Sequence, residues 1–149
     1  MGEKIEAKVT HPFRASAERV YDAWLDPERV RLWLAAALKA CGLAGDIRRV
    51  EIDPRVGGKF FFSDLREGKE ARHWGTYLAL QRPGKIVFTW ITDESEESNP
   101  SQVTVSIVPQ AQGCTATIVH EMDAEWKEYV ERVESGWLRM LRAIDAVEH

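Results

Sequence analysis

From residue 123 onward, apolar side chains recur at helical spacing. An advance of about 100° per residue brings Trp126, Val130, Val133, Trp137, Met140, Leu141 and Ile144 into one stripe, with Tyr129, Gly136 and Val147 along its edge. Glu131, Ser135, Arg139 and Arg142 fall on the opposite, solvated side. Asp123 stands where an N-cap carboxylate would accept the first free backbone N–H groups, so one long helix is expected from there to the C-terminus. Such a helix is stable only if its stripe packs on something, and the preceding residues must supply an apolar face of matching length. On the edge of the stripe sits an anomaly, Gly136 immediately before Trp137. Glycine in a helix interior costs about 1 kcal/mol relative to alanine, so the bare patch needs a use.

The preceding residues read as strands. R-R-V-E-I-D, the turn P-R-V-G-G and K-F-F-F-S follow one another from Asp46, and Gly57-Gly58 is a hairpin signal. Residues 71–81 and 85–92 are joined by the turn R-P-G. The acidic stretch D-E-S-E-E-S-N-P is a solvated loop; a calcium loop would need spaced ligands and a glycine at its sharp turn. Val103, Val105 and Ile107 alternate, and Cys114, Ala116, Ile118 and His120 share one face of the last strand.

At the other end, residues 5–13 form a first strand with Pro12 near its exit. Ser16 caps a short helix carrying Val20 and Trp24 on one face, and Asp26-Pro27 starts a second short helix to about Trp33. Residues 34–45, closed by Gly42, either extend that helix or make a separate turn. The order is strand, two short helices, six strands, one long helix: an α+β class with the last helix on the apolar face of an antiparallel sheet.

The 149 residues suit one domain, residues 1–149, burying roughly two thirds of its unfolded surface. Twenty Lys and Arg against 24 Asp and Glu give a net charge of -4 with both signs interspersed, which argues against nucleic acid and anionic membranes as partners. No run is long enough to insert in a membrane and the N-terminus lacks signal-peptide character, so a soluble cytoplasmic protein is expected. Cys41 and Cys114 read as two reduced thiols.

Several short motifs then form a set: A-S-A-E-R-V-Y-D-A-W-L-D-P-E-R-V-R-L-W, V-E-I-D-P-R-V-G-G-K-F, W-G-T-Y-L, R-P-G-K-I-V-F-T-W, T-I-V-H-E and G-W-L. In this order they resemble the bacterial proteins related to the C-terminal domain of the activator of the Hsp90 ATPase, in the START-like, Bet v 1-like (SRPBCC) superfamily. The resemblance covers nearly the whole chain. It implies the helix-grip fold: a seven-stranded antiparallel curved sheet around the C-terminal helix, two short helices after strand 1, and a pocket between sheet and helix. Residues 34–45 depart from the shorter, tryptophan-rich turn of such relatives and bear on the pocket mouth. A chaperone partner follows from family analogy alone, and the activator's separate N-terminal domain has no counterpart in this chain.

Within that frame Trp33, Phe60, Phe62, Tyr77, Phe88, Trp90 and Trp137 are the aromatic candidates for a pocket lining, with Val133 and Met140 from the helix stripe. Gly75, Cys114, Ala116 and Gly136 are the small inward residues. Gly136 either leaves space beside Trp137 or lets the helix approach a neighbour closely. His120 has inner-face parity and would hold a polar group of a ligand, carry a proton, or be satisfied by a carbonyl or water near the strand end. His73 shares parity with Gly75 and Tyr77, although a bulge near Ala79 would change its facing and a polar strand end usually meets solvent.

No C-x-x-C or H-x-x-x-H pair suggests zinc, and Ala124 spoils H-E-x-x-H after His120. No G-x-S-x-G elbow or phosphate loop is present, and Arg55 with Asp53 braces a turn. Neither metal, cofactor nor catalytic residue is expected. The leading expectation is binding of a small hydrophobic molecule between sheet and helix. The alternatives are a cyclase or lyase using His120, which would need a second ionisable group across from it, and a chaperone-linked interaction protein. Leu138 on the outer helix face is the one hint of a homodimer contact.

Overall fold

The computed structural model describes residues 3–148; Met1, Gly2 and His149 lie outside them. The chain runs β1 (Lys4–Phe13), α1 (Ala17–Leu25), α2 (Pro27–Ala40), β2 (Asp46–Ile52), β3 (Lys59–Arg66), β4 (Lys69–Gln81), β5 (Lys85–Trp90), β6 (Ser101–Gln110), β7 (Gly113–Asp123) and α3 (Val130–Glu148). Short 3₁₀ turns occupy Glu94–Glu96 and Ala124–Tyr129. One antiparallel sheet has the seven strands that the resemblance implies, in the order β1-β7-β6-β5-β4-β3-β2.

The caps sit where the sequence puts them. Ser16 Oγ accepts from Arg19 N at 3.2 Å, and Asp26 Oδ1 accepts from Glu28 N at 2.9 Å with Pro27 opening the helix. The second helix is longer than the expected stop near Trp33. Leu34, Ala37 and Leu38 continue its buried face, so the run of helix formers extends it to Ala40. It ends in paired bonds, Leu43 N to Leu38 O at 3.0 Å and Gly42 N to Lys39 O at 3.0 Å, with Gly42 at φ +90°. That is the left-handed helix cap glycine adopts at least cost.

The last helix differs from its expected start. Asp123 Oδ1 does accept from Glu125 N at 3.0 Å, yet it caps the 3₁₀ turn, and α-helix begins only at Val130. A 3₁₀ turn advances about 120° per residue, which rotates its side chains away from the α-helical stripe. Trp126 and Tyr129 are therefore exposed, each 42%. Downstream the stripe holds: Trp137, Leu141 and Ile144 are buried against Phe13, Phe88, Val105, Ala116 and Ile118 of the sheet.

The end of α3 is fastened firmly. Glu148, 2% exposed, accepts from Arg29 Nε at 2.8 Å and from Arg19 Nη2 at 3.3 Å, which ties it to α2 and α1. His11 Nε2 meets Asp145 Oδ2 at 2.9 Å, and Glu134 Oε2 accepts the backbone N–H of Lys8 on edge strand β1 at 2.9 Å. Gly75, expected to leave space, instead permits close backbone passage: a Cβ there would lie 1.9 Å from Thr89 O and 2.8 Å from Phe60 Cε2. The β4–β5 register shifts between Tyr77 and Ala79, and a Trp74–Ile91 bridge resumes the pairing beyond it, which bends the sheet.

Candidate functional site

The inner positions of β3, β4 and β5 alternate toward α3 and bring Phe60, Phe62, Tyr77, Ile86, Phe88 and Trp90 together. Trp137 and Met140 come from α3, Trp33 and Leu34 from α2, Trp24 and Leu25 from α1. These twelve side chains line a partly open void of about 20 Å³. That is room for about one water molecule. The ligand-sized cavity expected beside Trp137 is filled by aromatic rings. Trp90 and Trp137 have centroids 5.1 Å apart, Phe60 and Phe88 5.4 Å, Trp24 and Trp33 5.3 Å. Each such contact contributes about 0.5–1.5 kcal/mol beyond burial, so the rings close on one another when nothing lies between them.

Eight of the sequence candidates line this void: Trp33, Phe60, Phe62, Tyr77, Phe88, Trp90, Trp137 and Met140. Gly136 does not. A Cβ on it would meet nothing within 4 Å, so it neither enlarges the void nor allows a close approach. Trp24, Leu25, Leu34 and Ile86 complete the lining without having been singled out. For Trp24 the signal was its place beside Val20 on the face of α1, which the Asp26-Pro27 break folds back against Trp33. Two buried tryptophans differ in satisfaction. Trp33 Nε1 donates to Ala23 O at 2.9 Å, whereas Trp24 Nε1 has no acceptor. An unpaired buried donor costs about 1–3 kcal/mol. Burial raises the Tyr77 phenol above its ordinary pKa, and it stays protonated.

His120 is buried and held at both ring nitrogens. Trp137 Nε1 can only donate, so His120 Nδ1 accepts from it at 2.9 Å. Ser101 Oγ donates to Trp90 O at 2.9 Å and so accepts from His120 Nε2–H at 2.8 Å. The tautomer is thereby fixed, and burial lowers the imidazole pKa from 6.5 to about 4. Neither partner is ionisable, and neither nitrogen is free to move a proton. The expectation of satisfaction holds, through side chains and not a backbone carbonyl.

Beyond His120 the grip opens into a cleft of about 350 Å³ between β6, β7, the 3₁₀ turns and the start of α3. Trp90, His120, Met122, Trp126, Tyr129 and Val133 give it apolar walls; Lys4, Glu96, Asn99 and Glu125 form part of its polar rim. Val133 thus belongs to the cleft and not to the void. Trp90 borders both spaces. His73 faces inward and lines neither, but it stacks on Trp90 with centroids 5.0 Å apart and planes at 23°. Burial, then the nearby Arg66 charge, lowers its pKa to about 4. Arg66 itself holds the buried Asp64 at 2.7 Å, a pair on the inner side of β3 that sequence reading passed over.

The family model described as Activator of Hsp90 ATPase homolog 1-like protein matches residues 14–148. Among solved structures, the Staphylococcus aureus protein of unknown function SA2116 superposes with a TM-score of 0.81 at 21% identity, over 98% of this chain and 94% of that one. Protein CV1439 from Chromobacterium violaceum gives 0.79 at 26% identity, over 98% and 97%. The AHSA1-like protein from Aeromonas hydrophila gives 0.75 at 19% identity, over 96% and 91%. No curated protein matches the sequence.

Proposed function

The chain belongs to the family of Activator of Hsp90 ATPase homolog 1-like proteins, and from that membership and the shape of its interior we propose that it binds a small, largely apolar molecule. The guest enters by the cleft and lodges among the aromatic rings between sheet and α3. The observation that carries this reading is that Trp90 alone among the rings borders both the cleft and the void. Trp33 and Trp137 are pinned by indole hydrogen bonds, while among the described residues none holds the Trp90 indole. It rests among His73, Phe60, Phe88 and Trp137 on ring contacts. Turning it outward joins 20 Å³ of interior to 350 Å³ of cleft, and the contacts it gives up are remade with the guest. Binding without chemistry suits a site whose central histidine is neutral and engaged on both sides.

The test is a titration with the neutral fluorescent probe N-phenyl-1-naphthylamine, read by its emission and by quenching of tryptophan emission. Saturable binding near one probe per chain is expected. Absence of any saturable signal, together with no retained small molecule in native mass spectra of freshly purified protein, would remove the proposal.

A further inference from the structure

Resting on that reading, we infer that the guest carries a neutral hydrogen-bond acceptor, a ketone or ester carbonyl, at its leading end and delivers it to Trp24 Nε1. Trp24 is 5% exposed, lines the void, and its indole N–H is one of two buried side-chain polar atoms without a partner among the described residues. The other, Ser63 Oγ, does not line the void. An indole nitrogen can only donate, so the missing group is an acceptor. Tyr77, whose phenol can donate, belongs to the same lining.

The chemistry around the void narrows the class. Its lining contains no Lys, Arg or His, so a carboxylate would be buried without a counter-charge, which is far costlier than burying a carbonyl that finds a donor. A plain hydrocarbon would fill the space and leave Trp24 unsatisfied. The order of the rings sets the orientation. Trp90 stands at the cleft, Trp137 lies 5.1 Å from it, and Trp24 lies 6.3 Å beyond Trp137. The acceptor therefore leads and the apolar tail trails toward Met122 and Val133 in the cleft. A single water on Trp24 is the rival occupant, with the Tyr77 phenol and the Trp90 indole on the same lining as its other partners.

Displacement of N-phenyl-1-naphthylamine by 2-nonanone, nonane and nonanoate tests the inference, in the wild type and in Trp24→Phe. The ketone should bind about tenfold more tightly than the alkane and the carboxylate most weakly. Trp24→Phe should bring ketone and alkane level. Should that variant fail to fold, the Trp24 indole proton in ¹⁵N-labelled wild type gives an independent reading: it moves downfield with the ketone and stays put with the alkane. Equal binding of ketone and alkane, or an indole proton that keeps a water cross-peak when the ketone is bound, overturns this inference and leaves the proposed function standing. If none of the three displaces the probe, this inference falls and the proposed function, which rests on saturable binding of the probe itself, still stands.

Discussion

The Trp137 indole donates to His120 Nδ1 across 2.9 Å, with the two rings edge to face at a centroid distance of 5.7 Å. Protonating His120 would set two N–H groups against each other in the interior. The folded-state pKa of about 4 lies below the ordinary 6.5, so the unfolded chain takes up the proton first. The His120 contribution is thus fully present above pH 6.5, is lost as pH falls toward 4, and is constant below that. Its size is on the order of 3 kcal/mol. Urea unfolding from pH 7.5 to 4 should show this decline, and His120→Gln should flatten its share of it. A wild-type curve level over that range contradicts the buried neutral histidine.

Gly136→Ala should stabilise the protein by about 0.5–1 kcal/mol, because alanine is the better helix former and its methyl would meet nothing within 4 Å. Thermal melting reads the gain. Probe affinity should not change, since Gly136 borders neither void nor cleft. A drop in affinity would mean that the bare patch serves the guest after all.

The strands, the sheet partners of α3 and eight lining side chains were legible because period-two alternation and helical spacing report which face is buried. The helix from Val130 obeyed its stripe; Trp126 did not, because a 3₁₀ turn obeys a different period that no residue in D-A-E-W-K-E-Y announces. Gly75 looked like deliberate space, yet the atom that fills it is the carbonyl of Thr89, a backbone approach invisible to side-chain patterns. The void itself depended on how eight aromatic side chains settle among one another. Volume is set by rotamers in three dimensions, and the sequence could only say that the rings would meet. The pairing of His120 with Trp137 was likewise out of reach, for it joins β7 to a helix whose rotational setting was unknown.

Glu148→Gln should cost about 2 kcal/mol in chemical denaturation. The carboxylate is buried, and losing its charge leaves the Arg29 guanidinium, 26% exposed, short of its partner; that partial exposure keeps the cost below that of a wholly buried pair. Arg19→Ala should change stability by less than about 1 kcal/mol, since its side chain is 58% exposed. The hydrogen bond from Arg29 lowers the Glu148 pKa below its ordinary 4.5. This part of the stability is therefore present above pH 4.5 and is lost on acidification beyond it, separate from the histidine decline at higher pH. Equal losses for Glu148→Gln and Arg19→Ala would show that the clamp at the end of α3 is not centred on Arg29.

Trp90→Leu tests the passage between cleft and void through rates. Leucine keeps an apolar side chain at the β5 terminus but removes the ring that His73 stacks on and that Trp137 meets at a tilt. Stability should fall by about 1–3 kcal/mol from lost packing. Stopped-flow mixing with N-phenyl-1-naphthylamine should show the wild type limited by a step that saturates with probe concentration, as expected when a ring must move before the guest can enter. In Trp90→Leu that ceiling should rise about tenfold or vanish. The alternative is that the probe sits only in the outer cleft. Association would then be linear in concentration for both proteins, and loss of the indole would weaken binding without changing the form of the kinetics.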